Sequence, residues 1–474
     1  MHAVLRPWPV LSAVFVLTLM CVSAKDVPTL AQQYQVAATK IIDRAKEDEG
    51  AWAKLEYLCD WIGHRLSGSP QLEQATQWAA ESMRRDGLQH VHLQSVEVPH
   101  WVRGKESGRI VSPVLRDLHL LGLGGSVATP AEGLRAPVVV VDTFQELDAL
   151  EPAKIRGKIV VFNETWEGYG RTVRYRYSAA SRASAKGALA VLVRSVTPRS
   201  LQSPHTGSLG YSSDAPPIPA AAVTIEDALL LRRLYDRGQE VEVEMHMEAQ
   251  TLPPAQSANV IGELVGRELP DEVVVIGGHL DSWDVGQGAH DDGAGVAVSM
   301  QALKLLKDLG LRPRRTLRVV LFANEENGLA GGQAYRKSLT DEELHHHVAA
   351  IEMDSGAEKP TGFGLSLSGG EGSTEGVDSA LVLLRSAAPL LSPIEADGIS
   401  AGGGGADISP LMHDGVPGLG LQTVGTHYFD WHHTASDTLD KVEPEHLRSS
   451  LAAMAVMAYI LADMPGTLAT APTP

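Results

Sequence analysis

The segment GGHLDSWDVGQGAHDDGAG, residues 277–295, carries two histidines and four aspartates separated by glycines. The apolar run VVVI before it, residues 273–276, predicts a buried strand. A helical pattern follows over residues 292–309, with Val296, Met300, Leu303 and Leu306 on one face. Gly310 is placed to end that helix, and Pro313 prevents its continuation. The segment therefore predicts a strand, a polar loop and a helix in succession.

The same alternation continues towards the carboxyl terminus. Apolar runs over residues 317–322, 349–353 and 416–421 predict three further buried strands. Buried strands that alternate with helices are typical of an α/β fold in which a mostly parallel, mixed sheet has helices on both faces. We predict this architecture for the second half of the chain.

Residues that bind metals follow each of these strands. His279 follows the first strand, NEEN (residues 324–327) the second and Asp354 the third, and HYFDWHHTASDT (residues 427–438) follows the fourth. One such acid is more typically a helix cap or a solvated charge, but in α/β sheets functional groups gather beyond the carboxyl ends of the strands. Zinc binds histidine nitrogen and carboxylate oxygen. The available donors are His279, Asp291, Glu326, Asp354 and His433.

The first half of the chain differs from the second half in its hydrophobic patterns. Helical spacing runs through residues 30–85, Gly87 is placed as a stop, and residues 91–99 alternate as a half-buried strand does. Residues 104–254 contain short valine-rich runs broken by glycine and proline, which predicts an inserted β-rich module with a mobile surface loop at 203–220. A chain of 474 residues exceeds the usual size of one core. We therefore expect an insertion within a catalytic domain formed by residues 25–103 and 255–474.

The amino terminus predicts export. Arg6 precedes an apolar stretch, residues 10–22, which is closed by the small residues Ser23 and Ala24. This is the pattern of a secretory signal over residues 1–24, and the stretch is shorter than the roughly 20 residues that span a bilayer. We expect a secreted or periplasmic protein that is not inserted in the membrane once the signal is removed.

Charge and cysteine content narrow the function further. The formal net charge of −18 repels phosphate backbones, so nucleic acid is not expected as a partner. Removal of the signal leaves Cys59 as the only thiol, which excludes an intramolecular disulfide. Its apolar neighbours predict a small buried side chain rather than a nucleophile.

The motifs resemble a known family. GGHLDSWDVGQGAHDDGAG, NEENG, IEMDSGA and HHTASDT are similar to the dizinc exopeptidases of the aminopeptidase type, and GHRLSGS, HWVRGKES, LGLGGSVATPAEG, RTVRYR and SPHTG extend the resemblance over nearly all of the mature chain. The resemblance implies two Zn²⁺ per subunit, with a bridging water completing the pair. It assigns His279 and Asp354 to one ion, Glu326 and His433 to the other, and Asp291 to the bridge between them.

The resemblance also implies catalytic roles. Glu325, beside the ligand Glu326, is the general base, and the carboxylate of Asp281 accepts a hydrogen bond from His279. The peptide bond between Asp291 and Asp292 is cis. The substrates are small peptides, foremost dipeptides with free termini, and the insertion is a protease-associated lid that acts as a steric gate. A homodimer is expected on the same ground.

Several assignments stay open. His427, His432 and His433 are all candidate ligands, and only the family spacing selects His433. Where several relatives have an oxyanion-stabilising tyrosine this chain has His432, which we assign that role as a hypothesis. Asp407 contacts substrate or caps a helix.

Other polar residues are expected outside the ligand set. His290 has an outer or exposed role, the three histidines at 345–347 form the exposed end of a helix, and Asp437 orients the His433 loop or forms a turn. The competing function from another class is a metal-free binding protein on the same scaffold. Within the enzymes, the alternatives are an aminopeptidase for longer peptides and a cyclase-like protein with a single zinc.

Overall fold

The computed structural model describes residues 28–367 and 377–470. The predicted signal, residues 1–24, lies outside the described residues. The strands are β1 Gln89–Val102, β2 Glu106–Ser112, β3 Arg116–Leu118, β4 Leu120–Gly122, β5 Leu134–Val141, β6 Ile159–Phe162, β7 Ala190–Arg194, β8 Ala220–Val223, β9 Glu242–Met247, β10 Gln250–Leu264, β11 Leu269–His279, β12 Arg315–Phe322, β13 His347–Glu352, β14 Pro360–Ser366, β15 Gly398–Ala401 and β16 Gly418–Thr423.

Helices connect and cover these strands. They are α1 Leu30–Lys46, α2 Gly50–Glu56, α3 Pro70–Arg85, α4 Phe144–Ala149, α5 Pro152–Ile155, α6 Tyr169–Ala185, α7 Ile225–Asp236, α8 Ala294–Asp308, α9 Ala330–Ser338, α10 Asp341–His345, α11 Val377–Arg385, α12 Ser409–His413, α13 Tyr428–Trp431 and α14 Pro444–Asp463.

The first sheet has the strand order β1-β10-β12-β11-β13-β16-β14-β15. The neighbours β12, β11, β13 and β16 run parallel, whereas β1, β10 and β14 join by antiparallel pairing. Alternate residues of β11 face opposite cores, since Val274 and Ile276 pack with α8 and α14 while Val273 and Val275 pack with α9 and α12. The predicted mixed α/β sheet with helices on both faces is confirmed.

The helix that follows the opening segment begins slightly later than expected. Its regular part, α8, starts at Ala294, and Asp291 and Asp292 before it have non-helical backbone angles. Gly310 has a φ of 68°, a left-handed conformation that suits glycine after a helix. The two aspartates therefore stand on the loop between β11 and α8.

A second sheet is formed by strands between Glu106 and Met247, in the order β3-β2-β9-β5-β6-β7-β8-β4. Helices α4 and α6 pack on one face of its parallel strands and α7 on the other. This part of the chain is mixed α/β rather than β-rich. The valine-rich strands stand out in the sequence, whereas the apolar residues of α6 are interrupted by four arginines, which obscures its helical pattern.

Two local predictions are also settled. Cys59 is buried and free, and burial raises the pKa of its thiol to about 12, which fits an inert core side chain. The three consecutive histidines do not all form an exposed helix end. His347 begins β13, is buried, and has its Nε2 2.8 Å from the hydroxyl of Tyr335.

Candidate metal centre

The predicted ligands meet at the carboxyl ends of the parallel strands. The Nε2 atom of His279 lies 3.1 Å from Oδ1 of Asp291 and 3.6 Å from Oδ1 of Asp354. The Nε2 atom of His433 lies 3.2 Å from Oδ2 of Asp291 and 3.0 Å from Oε2 of Glu326. All five side chains that the sequence singled out are therefore brought together, and the two carboxylate oxygens of Asp291 face different histidines.

The donor set fits metal ions. Ligand atoms of His279, Asp291 and Asp354 lie within 4.8 Å of one another, and so do those of Asp291, His432 and His433. Among the described residues, Oδ2 of Asp291 and Oδ1 of Asp354 are buried and accept no hydrogen bond of good geometry. Buried carboxylate oxygens without donors are costly unless a cation compensates them. Two clusters that share Asp291 match the nitrogen and oxygen ligands that zinc prefers.

The loop that carries Asp291 is held by Asp437. One carboxylate oxygen of Asp437 accepts hydrogen bonds from the N–H groups of Ala289 and His290, and the other accepts one from Asp291. Asp437 thus fixes the Asp291 loop, whereas the sequence had suggested the His433 loop or a simple turn. The peptide bond that follows Asp291 is cis, as the resemblance implied.

The surroundings of His279 differ in one detail from the prediction. Its Nδ1 lies 3.0 Å from the main-chain oxygen of Asp281 but 3.8 Å from the carboxylate of that residue. The carboxylate instead accepts hydrogen bonds from the N–H groups of Glu325 and Glu326. Asp281 therefore orients the imidazole through its main chain and positions the two glutamates through its side chain.

The ionisable side chains of the metal centre shift one another's pKa values. Burial raises the pKa of Glu326 to about 7, and the charge of Asp291 adds to this while His433 opposes it. Burial alone lowers the pKa of His433, but the carboxylates of Glu326 and Asp291 outweigh it and raise that pKa to about 10. These shifts show an anionic, desolvated site in which positive charge is stabilised.

Glu325 lies beside the two clusters without joining them. Burial raises the pKa of its carboxyl well above the ordinary range, repulsion from Asp354 and Glu326 adds to the shift, and His279 opposes it. A carboxyl group with a raised pKa can both accept and release a proton near neutral pH, which is the property that a general base such as Glu325 requires.

His432 lies within the centre. Its ring stacks on His433 with centroids 3.5 Å apart, and its Nε2 is 3.7 Å from Oδ2 of Asp291. Burial lowers the pKa of His432 well below its ordinary value, and the positive charges of His433 and Arg176 add to this. A neutral imidazole in this place can donate one hydrogen bond or bind a metal.

The structure also defines the hydrogen-bond partners of His290 and the surroundings of Asp407. His290 is buried, with Nε2 donating to the carbonyl of Lys441 and Nδ1 accepting from Ala357, so it has no free nitrogen for a metal. Asp407 is 1% exposed, and neither of its carboxylate oxygens accepts a hydrogen bond from any part of the chain that the structure describes. It therefore does not act as a helix cap.

The sequence missed three residues of the site. Tyr428 packs against His432, and burial together with the charge of Asp291 raises the pKa of its phenol well above 10, so the hydroxyl remains a donor. Arg176, on α6, and Thr206, on the loop between β7 and β8, reach His433. Arg176 and Thr206 lie in motifs that carried the resemblance and Tyr428 lies just before one, but no local pattern marks the side chains themselves.

Residues 205–208 of the predicted surface loop at 203–220 are part of these contacts, whereas residues 212–214 are exposed. His205 and Thr206 are buried, the Thr206 N–H donates to the carbonyl of His433, and Ser208 donates to the carbonyl of Glu326. The first part of this loop therefore lies against the metal centre, unlike the exposed part that follows it.

Comparisons with known proteins agree with this geometry. The model of peptidase family M28 matches residues 259–458. Carboxypeptidase Q of Mus musculus is 40% identical over 434 residues, which cover 91% of this chain and 90% of the relative. The chain belongs to peptidase family M28. The resemblance seen in the sequence is thereby confirmed, and the protein is a metallo-exopeptidase.

Solved structures show the same fold. The crystal structure of a peptidase M28 precursor from Shewanella amazonensis is 36% identical, with a TM-score of 0.87, over 93% of this chain and 99% of that one. A zinc aminopeptidase from Bacillus subtilis, 22% identical, has a TM-score of 0.66 over 89% of this chain and 97% of its own.

Proposed function

We propose that this M28 protein is a secreted, zinc-dependent exopeptidase that hydrolyses small peptides, foremost dipeptides with free termini. The observation that carries the proposal is the position of Asp291 between His279 and His433, one carboxylate oxygen towards each. This arrangement supports two zinc ions per subunit bridged by Asp291. His279 and Asp354 complete one set of ligands, and Glu326 and His433 complete the other.

The chain supplies its own proton carrier. When bound, the zinc ions supply Lewis-acid chemistry that acidifies water and polarises the scissile carbonyl. Glu325, whose main-chain N–H donates to Asp281, stands beside the ligands with a raised pKa. Its carboxylate takes the proton from the attacking water and returns it to the nitrogen of the departing amine. Asp281 keeps Glu325 in place and is a positioning residue.

Two donors are available for the oxyanion that forms during attack. His432 and Tyr428 both lie against the ligand cluster and both remain in the protonation state that allows donation. We keep His432 as the proposed donor. Asp407 is proposed to contact the substrate, because its buried carboxylate lacks a partner among the described residues and a free amino group would provide one.

Contacts between the two sheets support a preference for short substrates. Thr206 bonds to His433, Ser208 to the main chain of Glu326, and Thr197 to the main chain of Phe429. We propose that residues 104–254 form a lid whose contacts with the ligand segments restrict the room for longer peptides. Efficient cleavage of longer peptides, which an aminopeptidase would show, would contradict this steric gate.

Export and assembly belong to the same proposal. We propose cleavage of the signal after Ala24 and release outside the cytoplasm, without nucleic acid as a partner, and assembly as a homodimer. Within the described residues no helix is long and apolar enough to cross a membrane. Amino-terminal sequencing of the exported protein tests the cleavage, and light scattering tests the dimer.

The deciding experiment measures metal and activity in the same sample. Purified protein should contain zinc and hydrolyse dipeptides, lose hydrolysis on chelation and regain it when zinc is restored. A metal-free protein that has no peptidase activity with or without added zinc would contradict the proposal and support a binding protein on this scaffold. One equivalent of zinc with full activity would contradict the paired site but retain the hydrolase.

A further inference from the structure

Arg176, on α6, brings a buried positive charge to the metal centre without an acidic partner. The residue is 7% exposed, its guanidinium donates to the carbonyl of Thr206 and to the hydroxyl of Tyr169, and its Nη1 lies 3.3 Å from Nδ1 of His433. Its Nε is buried and makes no hydrogen bond within residues 28–367 and 377–470. None of these three partners carries a negative charge that offsets the guanidinium.

Arg65 shows how a buried arginine is satisfied elsewhere in this chain. It is fully buried, and its guanidinium donates to the carbonyls of Leu280, Gly63, Gln287 and Gly288, so every nitrogen has an acceptor. A buried guanidinium that lacks such acceptors is destabilising, because the lost hydration is not replaced. The unsatisfied Nε of Arg176 therefore indicates a ligand rather than a structural role.

The surrounding backbone leaves space for this guanidinium. Gly207 has a φ of 137°, and a Cβ atom there would lie 2.3 Å from Cζ of Arg176. A residue with a side chain would occupy the place of the charged group. The glycine beside Thr206 thus allows Arg176 to reach His433.

We propose that Arg176 binds the free carboxylate of the substrate on its leaving-group side and so selects peptides in which one residue follows the scissile bond. The inference deepens the proposed peptidase function and rests on it. A guanidinium presents N–H donors in a planar fork that matches a carboxylate, and charge-assisted pairs of this kind are short and strong.

The position of Arg176 relative to the metal centre accounts for the single residue that follows the scissile bond. Nη1 of Arg176 lies 3.3 Å from Nδ1 of His433, whose Nε2 faces the proposed ligands Asp291 and Glu326. One residue spans roughly 3.5 Å of extended chain, so a single residue between the scissile carbonyl and the carboxylate suits a guanidinium that is one imidazole ring away from the metal centre. The anionic ligand cluster repels a substrate carboxylate, and a cation beside it overcomes that repulsion.

The test compares a dipeptide with its carboxyl-terminal amide, which keeps the scissile bond and removes the charge. In the wild-type protein we expect kcat/KM to be roughly 100-fold higher for the acid than for the amide. The substitution Arg176→Met should lower kcat/KM for the acid by a similar factor and change it less than twofold for the amide, at unchanged zinc content. Arg171→Met, at an exposed position on the same helix, is the matched control and should behave as wild type.

The possible outcomes distinguish a failure of the role proposed for Arg176 from a failure of the proposed peptidase function. Equal cleavage of acid and amide by the wild type, or equal losses for both in Arg176→Met, would overturn the role of Arg176 while the peptidase stands. Hydrolysis of neither compound by the zinc-loaded wild type would overturn the proposed function itself. If Arg176→Met does not fold, calorimetry on the wild type decides: a free amino acid should bind and its amide should not, and equal binding of both would contradict the proposal.

Discussion

The main-chain oxygen of Thr206 lies 3.2 Å from Nδ1 of His433, and the Thr206 N–H donates a 3.0 Å hydrogen bond to the His433 carbonyl. A histidine whose Nδ1 donates to a carbonyl presents Nε2 to a metal, with its ring orientation fixed. Thr206 follows β7 of the second sheet, whereas His433 follows β16 of the first. The second sheet therefore takes part in orienting a proposed ligand of the metal centre.

Substitution of Gly207 tests this link. We expect Gly207→Ala to lower kcat/KM for dipeptides roughly 100-fold, because the added methyl group displaces the Arg176 guanidinium and a residue other than glycine at a φ of 137° strains the backbone beside Thr206. The control is Gly238→Ala, which has a φ of 70° but nothing within 4 Å of the added atom. Steady-state kinetics on both variants measures the effect, and equal activity of the two variants would contradict the link.

Removal of the proposed base should separate catalysis from metal binding. Glu325→Gln should lower kcat by roughly 10²–10⁴-fold and leave zinc content unchanged, because an amide cannot accept the proton from water. The matched control is Glu342→Gln, an exposed residue on α10. Zinc loss in Glu325→Gln would show instead that Glu325 is a ligand.

His432 distinguishes an oxyanion donor from a ligand. We expect His432→Ala to lower turnover and to spare zinc, since its Nε2 is 3.7 Å from Oδ2 of Asp291 while His433 is closer. Tyr428→Phe, measured in parallel, shows how much of the turnover depends on the hydroxyl of Tyr428, the second candidate donor to the oxyanion. Unchanged turnover in His432→Ala would assign the oxyanion to Tyr428 or to the metals, and a parallel loss of zinc would make His432 a ligand.

The buried His347 gives a pH dependence of stability away from the metal centre. Burial lowers its pKa to about 4 against an ordinary 6.5. The unfolded chain therefore takes up a proton before the folded chain does, so the stabilisation is present above about pH 6.5 and is lost as pH falls towards 4. Between pH 7.5 and pH 5 this loss is about 2 kcal/mol of the free energy of unfolding.

Urea unfolding of the wild type and of His347→Gln measures that contribution. The variant should lose less stability than the wild type over the same pH interval, because glutamine does not titrate. An exposed neighbour, His345→Gln, is the control and should follow the wild type. Identical pH dependence of the wild type and His347→Gln would contradict a depressed pKa.

Much of the catalytic sheet could be predicted because its parallel strands contain buried apolar runs and the proposed ligands follow their carboxyl ends. His279 ends β11 and Asp354 follows β13, so periodicity and position indicate a shared edge. The resemblance then assigned Glu326 and His433 to one ion. Their 3.0 Å approach agrees with that assignment.

The contribution of the second sheet was not visible in the sequence. Four arginines interrupt the apolar residues of the helix α6 and obscure its periodic signal, and the role of Arg176 depends on a contact with a residue more than 250 positions away. The 203–220 loop contains turn formers, which are typical of mobile loops and also of segments that follow an irregular surface. Only the packing of the two sheets distinguishes these cases. The contact of Asp281 with His279 was mispredicted for a local reason, because sequence does not show whether the main chain or the carboxylate of Asp281 faces the imidazole.

The central claim is that Asp291 bridges two zinc ions. Anomalous diffraction from crystals of the zinc-loaded protein, recorded on both sides of the zinc absorption edge, tests it most directly. We predict two peaks, one between Asp291 and His279 and one between Asp291 and His433. A single peak, or none within coordination distance of Asp291, would contradict the account.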